Sequence, residues 1–259
     1  MADAFGRAVR DHHRGERTEP LYQGDGEAVR EHPIEAFYFA EFDPDDEAGS
    51  WLASRLDGPL VDLGAGAGRH ALRFQERFET VAVEPSPALV ETMRDRDVAD
   101  AREGDMFALR ESFGRDRFAS ALAIGTQTGL AGSMRGLSAF LADLAFVTTP
   151  DATAVVDCYD PDHPEAADLL GYRADPTPGL AHRVMWFRYD GETDPTLQFR
   201  LFSPARLREA AVGPASLLDA SARPGSGYGP HYRPALRKRS AFAAAGRGCP
   251  PRGALRASL

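Results

Sequence analysis

The chain has 259 residues, 43% hydrophobic and 27% charged, which is enough for one ordinary α/β domain with a sizeable core and excludes a disordered chain. Cys158 and Cys249 are its two cysteines, too few for a disulfide framework or a cysteine-based zinc site. The net charge of −9 is uneven: from Ser203 onward ten basic residues face only Glu209 and Asp219, giving +8 there and −17 on the body, which disfavours a nucleic-acid backbone as substrate.

There is no run of about 18 apolar residues to span a membrane, and the polar N-terminus lacks the apolar core of a secretory signal. A cytoplasmic protein is expected, with no metal site. Lys238 is the only lysine. That bias suits a GC-rich genome, and the acidic body suits a high-salt cytoplasm.

In chain order, residues 1–50 read as a polar, acidic leader. Its aromatic cluster, Phe37, Tyr38 and Phe39, is a candidate lid or, equally, an anchor to the core. Alternating strand and helix signals then argue for a parallel sheet covered by helices. Leu60–Leu63 reads as a short buried strand running into Gly64-Ala65-Gly66-Ala67-Gly68. Ala71, Phe74 and Phe78 share one face of the helix that follows.

Thr80–Glu84 is the second strand. Ser86 offers an N-cap and Pro87 sits at the first helical position. A weak third strand leads to Glu103-Gly104-Asp105. Phe118–Ile124 is the fourth strand and ends at Gly125-Thr126-Gln127. Ser133 caps a helix with an apolar stripe of Met134, Leu137, Phe140, Leu141 and Leu144. Thr149-Pro150-Asp151 breaks that helix before a fifth strand, residues 154–157.

Beyond Pro161, residues 183–189 and 197–202 form a plausible hairpin across Asp190-Gly191-Glu192. Residues 206–212 fit a short helix. In the run HYRPALRKR (231–239), Pro234 would confine a last strand to an edge or a bulge. Residues 240–259 have little to bury, and a disordered tail is expected.

The chemistry concentrates at strand ends. Glycines at 64, 66 and 68 let the backbone turn sharply and approach a ligand closely, and the next helix presents free N–H groups to an anion. The pattern is acidic-x-G-x-G-x-G, beginning at Asp62. It is not the dinucleotide G-x-G-x-x-G, since position 69 is Arg. A tight turn with no ligand is the plain alternative. Glu84 ends the second strand, where a carboxylate accepts from both hydroxyls of a ribose; an ordinary strand-end acid would look the same. Asp105, following Gly104, has the chemistry of a turn residue.

In motif order and spacing, residues 60–160 resemble the nucleotide-binding core of class I methyltransferases. More loosely, the whole chain resembles small-molecule methyltransferases of halophilic archaea with no assigned substrate. The resemblance implies a Rossmann-like α/β fold with a mostly parallel seven-stranded sheet and helices on both faces. The implied cofactor is S-adenosylmethionine, bound by Asp62, Gly64, Ala65, Gly66, Gly68, Glu84, Pro85, Asp105, Met106, Gly125, Thr126 and Gln127.

Residues 51–239 would form this domain, with 162–202 an insert shaping the acceptor site. Gly125-Thr126-Gln127 stands at the fourth family motif without the Asp/Asn-Pro-Pro-aromatic run of base- or glutamine-methylating enzymes, so a small-molecule acceptor is expected. A general base is needed only for a protonated acceptor; the candidates are Asp157, Tyr159, His70 and His182, each with an ordinary structural reading beside it. Two rival functions remain, a nicotinamide oxidoreductase and a non-catalytic cofactor-binding protein. The Arg at 69 and the lack of a Tyr-x-x-x-Lys pair speak against the first.

Overall fold

The computed structural model describes residues 3–211, 221–222 and 229–238. The expected tail, 240–259, lies outside them.

The leader is folded. Helix α1 (Ala4–Arg14) starts on Asp3, whose carboxylate accepts from the Gly6 N–H, and stops at Gly15 in the left-handed region (φ 71°), where a residue without Cβ is favoured. Strands β1 (Tyr22–Asp25) and β2 (Ala28–Glu31) pair as an antiparallel hairpin. A π-helical turn (Glu35–Phe39) carries the aromatic cluster, and α2 (Glu47–Ala53) is capped by Asp46.

The glycine-rich core follows: β3 (Leu60–Leu63), α3 (Arg69–Phe74), β4 (Thr80–Glu84), α4 (Pro87–Asp95), β5 (Ala101–Glu103), α5 (Leu109–Ser112) and β6 (Phe118–Ala123). Ser86 Oγ accepts from Leu89 N with Pro87 at the first turn, and Ser133 caps α6 (Met134–Val147) in the same way. After α6 come β7 (Thr148–Val156), β8 (Cys158–Tyr159), β9 (Tyr172–Ala174), β10 (Leu180–Tyr189), β11 (Glu192–Thr193) and β12 (Leu197–Phe202). Helix α7 (Pro204–Ala210) and strands β13 (Ser221–Ala222), β14 (His231–Tyr232) and β15 (Pro234–Arg237) close the order.

Two larger sheets result. The central one is mixed, in the order β13-β15-β7-β6-β3-β4-β5. Its β5-β4-β3-β6-β7 side is parallel, and β15 and β13 join antiparallel. Successive residues of β3 face opposite sides, as the pleat requires. Val61 and Leu63 pack with Leu137, Phe140 and Leu144 of α6, and Leu60 packs with Leu52 and Phe74 on the other face. The β3 and β4 residues are all buried, Asp62, Thr80 and Glu84 included, as strands of a parallel sheet covered on both faces are. The second sheet joins the leader to the far part of the chain: Tyr22 pairs with Arg188 and Gly24 with Trp186, while β12 and β9 pair with β10.

Four local expectations need correction. The α3 helix ends at Phe74, so Phe78 lies beyond it and reaches the core by stacking on Phe74 with ring centroids 5.8 Å apart. β7 begins at Thr148, before Pro150, and accommodates the proline in a bulge: Phe118 pairs with Thr148 but Ser120 with Thr153. The short helix begins earlier, at Pro204, because Ser203 caps it. The 231–239 run is two strands. Pro234 opens β15, which lies between β7 and β13 and not at an edge; a strand's first residue tolerates the missing N–H.

Candidate functional site

The C-terminal ends of the parallel strands carry the site, where open α/β sheets gather their ligands. Gly64, Gly66 and Gly68 all have positive φ (65°, 59° and 78°), which L-residues with side chains rarely adopt. A Cβ on Gly68 would stand 2.6 Å from Val98 Cγ2, and one on Gly66 would stand 3.3 Å from the Tyr38 ring. The first is a packing demand; the second shows that the leader's aromatic lies directly over the loop.

Glu84 closes this loop from the next strand. Its carboxylate accepts from Gly66 N (3.0 Å) and Ser86 N (3.2 Å). Burial raises its pKa to about 7; the two N–H groups oppose the shift and the charge of Asp3 adds to it. Asp62 is buried beneath the loop with Oδ2 lacking a partner among the described residues. Burial, then the Glu84 charge, raises its pKa to about 7 as well, against a backbone hydrogen bond from Ala71. Two neighbouring carboxylates that each resist ionisation form a coupled pair.

Arg96 ties the leader to the loop, donating to Ala67 O (2.6 Å) and Tyr38 O (3.2 Å). Its guanidinium also lies 4.8 Å from the Phe39 ring centroid. Tyr38 accordingly faces the site, Phe39 stacks on His13, and Phe37 is exposed. His32 is buried behind Tyr38, with Nε2 3.1 Å from Tyr38 Oη and Nδ1 unpartnered. Burial, helped by the Arg183 charge, lowers its pKa to about 4.

Asp105 is exposed at the end of β5, where Oδ1 accepts from Phe107 N (2.8 Å); Met106 is buried in the core. Pro85 lies between Glu84 and the cap Ser86. Gly64 meets Gln127: a Cβ there would stand 2.6 Å from the Gln127 side chain. The glycine loop and the Gly125-Thr126-Gln127 turn therefore touch.

Gly125 and Thr126 both have positive φ (101° and 62°), and one residue pins them. Asp157, fully buried just after β7, accepts from Gly125 N (3.1 Å) and Thr126 N (2.5 Å). It also receives His231 Nε2 (3.0 Å) and Arg233 Nη2 (3.4 Å). Burial alone would raise its pKa, but the His231 bond and charge, Arg233 and the Gly125 N–H outweigh burial and hold it low.

Asp157 is thus an orienting group, and the side chain it orients, His231, was missed in sequence reasoning. The signal was present in the run 231–239: His231 and Arg233 are two apart, the spacing that puts side chains on one face of an extended segment.

The other base candidates part company. Tyr159 lies edge-on to His231 (centroids 5.7 Å) and under the Arg183 guanidinium (5.8 Å); burial is the main cause of its raised pKa. His70 is held neutral, its pKa lowered to about 3 by burial and then by Arg69 and Arg233. His182 belongs instead to a polar network on the second sheet with Asp175, Gln198 and Arg200. Among the described residues no group of three or more His, Cys, Asp or Glu is placed to hold a metal ion, and no helix is long and apolar enough to cross a membrane.

No protein-family model matches the chain, and no curated protein matches it significantly in sequence. Its fold is nevertheless shared with solved structures. A SAM-dependent methyltransferase from Bacteroides fragilis, crystallised with S-adenosyl-L-homocysteine, superposes with a TM-score of 0.72 at 21% identity over 92% of this chain and 95% of that one. The CcbJ methyltransferase of Streptomyces caelestis gives 0.57 at 18% identity over 75% and 89%. The sugar N-methyltransferase KedS8 of Streptoalloteichus sp ATCC 53650 gives 0.50 at 16% over 70% and 80%. The chain has the Rossmann-like α/β fold of these proteins.

Proposed function

We propose that this protein transfers a methyl group from S-adenosylmethionine to a small-molecule acceptor. The observation that carries the reading is the Gly66–Glu84 unit: a positive-φ glycine loop whose central N–H is held by a buried carboxylate from the neighbouring strand. Three solved structures with the same fold are methyltransferases, and one of them is named for sugar N-methylation. An acidic body of −17 argues for a small acceptor over a nucleic acid.

The residues present fit the cofactor. Glu84 would take the ribose hydroxyls, exchanging backbone donors for hydroxyl donors. Gly64, Ala65, Gly66 and Gly68 would pass the amino-acid end close to the main chain, with Asp62 beneath. Asp105 and Met106 would serve the adenine, and Gln127 the loop's far side. When bound, the cofactor supplies an electrophilic methyl group on its sulfonium. The protein's own work is to align the acceptor and exclude water, with Tyr38 as a cover.

His231 would move the proton. In the neutral tautomer whose Nε2–H donates to Asp157, Nδ1 would be left as the acceptor, an arrangement of base and orienter that serves proton transfer.

Calorimetric titration with S-adenosylhomocysteine and then NAD tests the reading, at high and low salt because the acidic body suits a high-salt cytoplasm. Micromolar affinity for the first and none for NAD is expected. Preference for NAD would transfer the fold to a nicotinamide enzyme and end the methyltransferase reading.

A further inference from the structure

Beside the cofactor loop the chain gathers positive charge that its own carboxylates answer only in part. Asp157 is the carboxylate at the centre, and it already accepts from two backbone N–H groups and His231. Arg233 reaches it only at 3.4 Å, with Nε buried and unpartnered among the described residues. Arg69 is close enough to Arg233 that the two charges oppose each other, and its Nε is also buried without a partner. It spends one donor on the Glu41 carbonyl.

On the other side of His231, Tyr159 carries the Arg183 guanidinium over its ring. Arg183 donates to the Leu170 carbonyl (2.9 Å), and no ion pair joins it or Arg69 to a carboxylate among the described residues. Burial, then a like charge (Arg233 on Arg69, Arg30 on Arg183), weakens the hold of both arginines on their protons, and Asp46 only partly opposes this at Arg69, the direction expected of cations desolvated with too little counter-charge. The nearby histidines do not answer the charge: His70 and His32 are held neutral. In a chain of net charge −9 such a cluster of half-buried cations is a local reversal of sign, and charges withdrawn from water are normally paired. Outside the described residues the sequence supplies one acidic side chain, Asp219.

Resting on the methyltransferase reading, we infer that the acceptor is a small organic anion, a carboxylate or phosphate, held by Arg183 and Arg233 on either side of Tyr159 and His231. Arginine suits this work because its planar fork pairs both oxygens of such a group. Tyr159 supplies a ring face for the body of the acceptor, and the anion's position sets which atom faces His231 Nδ1. The sign of this pocket disfavours a cationic amine as the group that anchors the acceptor.

The same chemistry could come from the cofactor's own carboxylate, and the experiment separates the two sources. The protein is saturated with S-adenosylhomocysteine and titrated by calorimetry with benzoate, with benzamide as its uncharged match, and with inorganic phosphate. Benzoate or phosphate should bind at least tenfold more tightly than benzamide. Arg183→Gln and Arg233→Gln should each lower that anion affinity tenfold or more, leave S-adenosylhomocysteine affinity within twofold, and leave the thermal transition in place. Arg183→Lys keeps the charge, should retain part of the anion affinity, and guards against a variant that fails to fold.

The proposal is overturned if benzamide matches both anions, if neither anion binds below about 10 mM, or if the glutamine variants lose S-adenosylhomocysteine instead. In the last case the arginines serve the cofactor. Failure of S-adenosylhomocysteine to bind the unaltered protein would remove the methyltransferase reading, while anion binding by the unloaded protein would keep the pocket.

Discussion

The two ends of the site are built in opposite ways. The proposed cofactor end is mostly local: Asp62, the glycine loop, Glu84 and Ser86 span 25 consecutive residues across β3, β4 and the start of α4, and Asp105, Met106 and Gln127 follow the ends of β5 and β6. The proposed acceptor end draws on the whole chain. His32 and Tyr38 come from the leader, Arg183 from β10, and His231 and Arg233 from beyond α7. Asp194 caps the other end of this construction, accepting from the Ala4 and Phe5 N–H groups 190 and 189 residues away. The first end is held by bonds within one stretch of chain, whereas the second depends on contacts between segments far apart in sequence.

The largest effect should come from breaking the local end. Gly66→Arg places a side chain at φ 59° against the Tyr38 ring and fills the close approach; S-adenosylhomocysteine binding should fall more than 100-fold, read by calorimetry. A variant that still binds would show that the loop does not hold the cofactor. Glu84→Gln comes next. Two ribose hydroxyls exchange a charged acceptor for a neutral one, a loss of roughly 0.7–1.4 kcal/mol per bond, so affinity should fall roughly 10- to 100-fold.

The same variant sharpens a pH test. In the free protein Glu84 and Asp62 both sit near pKa 7, above their ordinary values, so the folded state holds protons that the unfolded state has lost. Stability should therefore be greatest below about pH 4 as far as these two groups contribute, and decline as pH rises to about 7. Hydroxyl donors favour the ionised carboxylate, so S-adenosylhomocysteine affinity should rise over the same interval, with proton release. Thermal melts and titrations in buffers of differing ionisation enthalpy read both. In Glu84→Gln the slopes should flatten; unchanged slopes would assign them elsewhere.

The contrast also explains what the sequence disclosed. β3, β4 and the Ser86-Pro87 cap were legible because short fully buried strands and side-chain caps are written in adjacent residues. The leader was read as a polar segment because its burial depends on partners far ahead: Tyr22 and Gly24 pair with Arg188 and Trp186, and no local periodicity announces that. Pro150 was read as a break, yet a bulge absorbs it. Asp157 was singled out as a base, but its role as the brace of Gly125, Thr126 and His231 depends on a residue 74 positions on. His182 was singled out as a base candidate near a strand end, and a local network on the second sheet engages it.

The seam between the two ends offers a smaller effect. Arg96 holds Ala67 O and Tyr38 O at once. Arg96→Ala should cost about 1–3 kcal/mol of stability in denaturant unfolding, and limited proteolysis should then cut first within the leader. Loss of cofactor affinity greater than loss of stability would make Tyr38 part of the binding surface. Equal losses would leave it an anchor.

The smallest effect separates two roles of one side chain. Asp105 accepts from Phe107 N through Oδ1, the bond of an ordinary turn, and its exposed position leaves Oδ2 for the adenine amino group. Asp105→Asn preserves an oxygen for the turn but turns the second acceptor into a donor. Stability should stay within about 0.5 kcal/mol, as for most surface substitutions, while S-adenosylhomocysteine affinity should drop roughly threefold to tenfold, the worth of about one hydrogen bond. An unchanged affinity would leave Asp105 a turn residue and shift adenine recognition to the backbone around Met106.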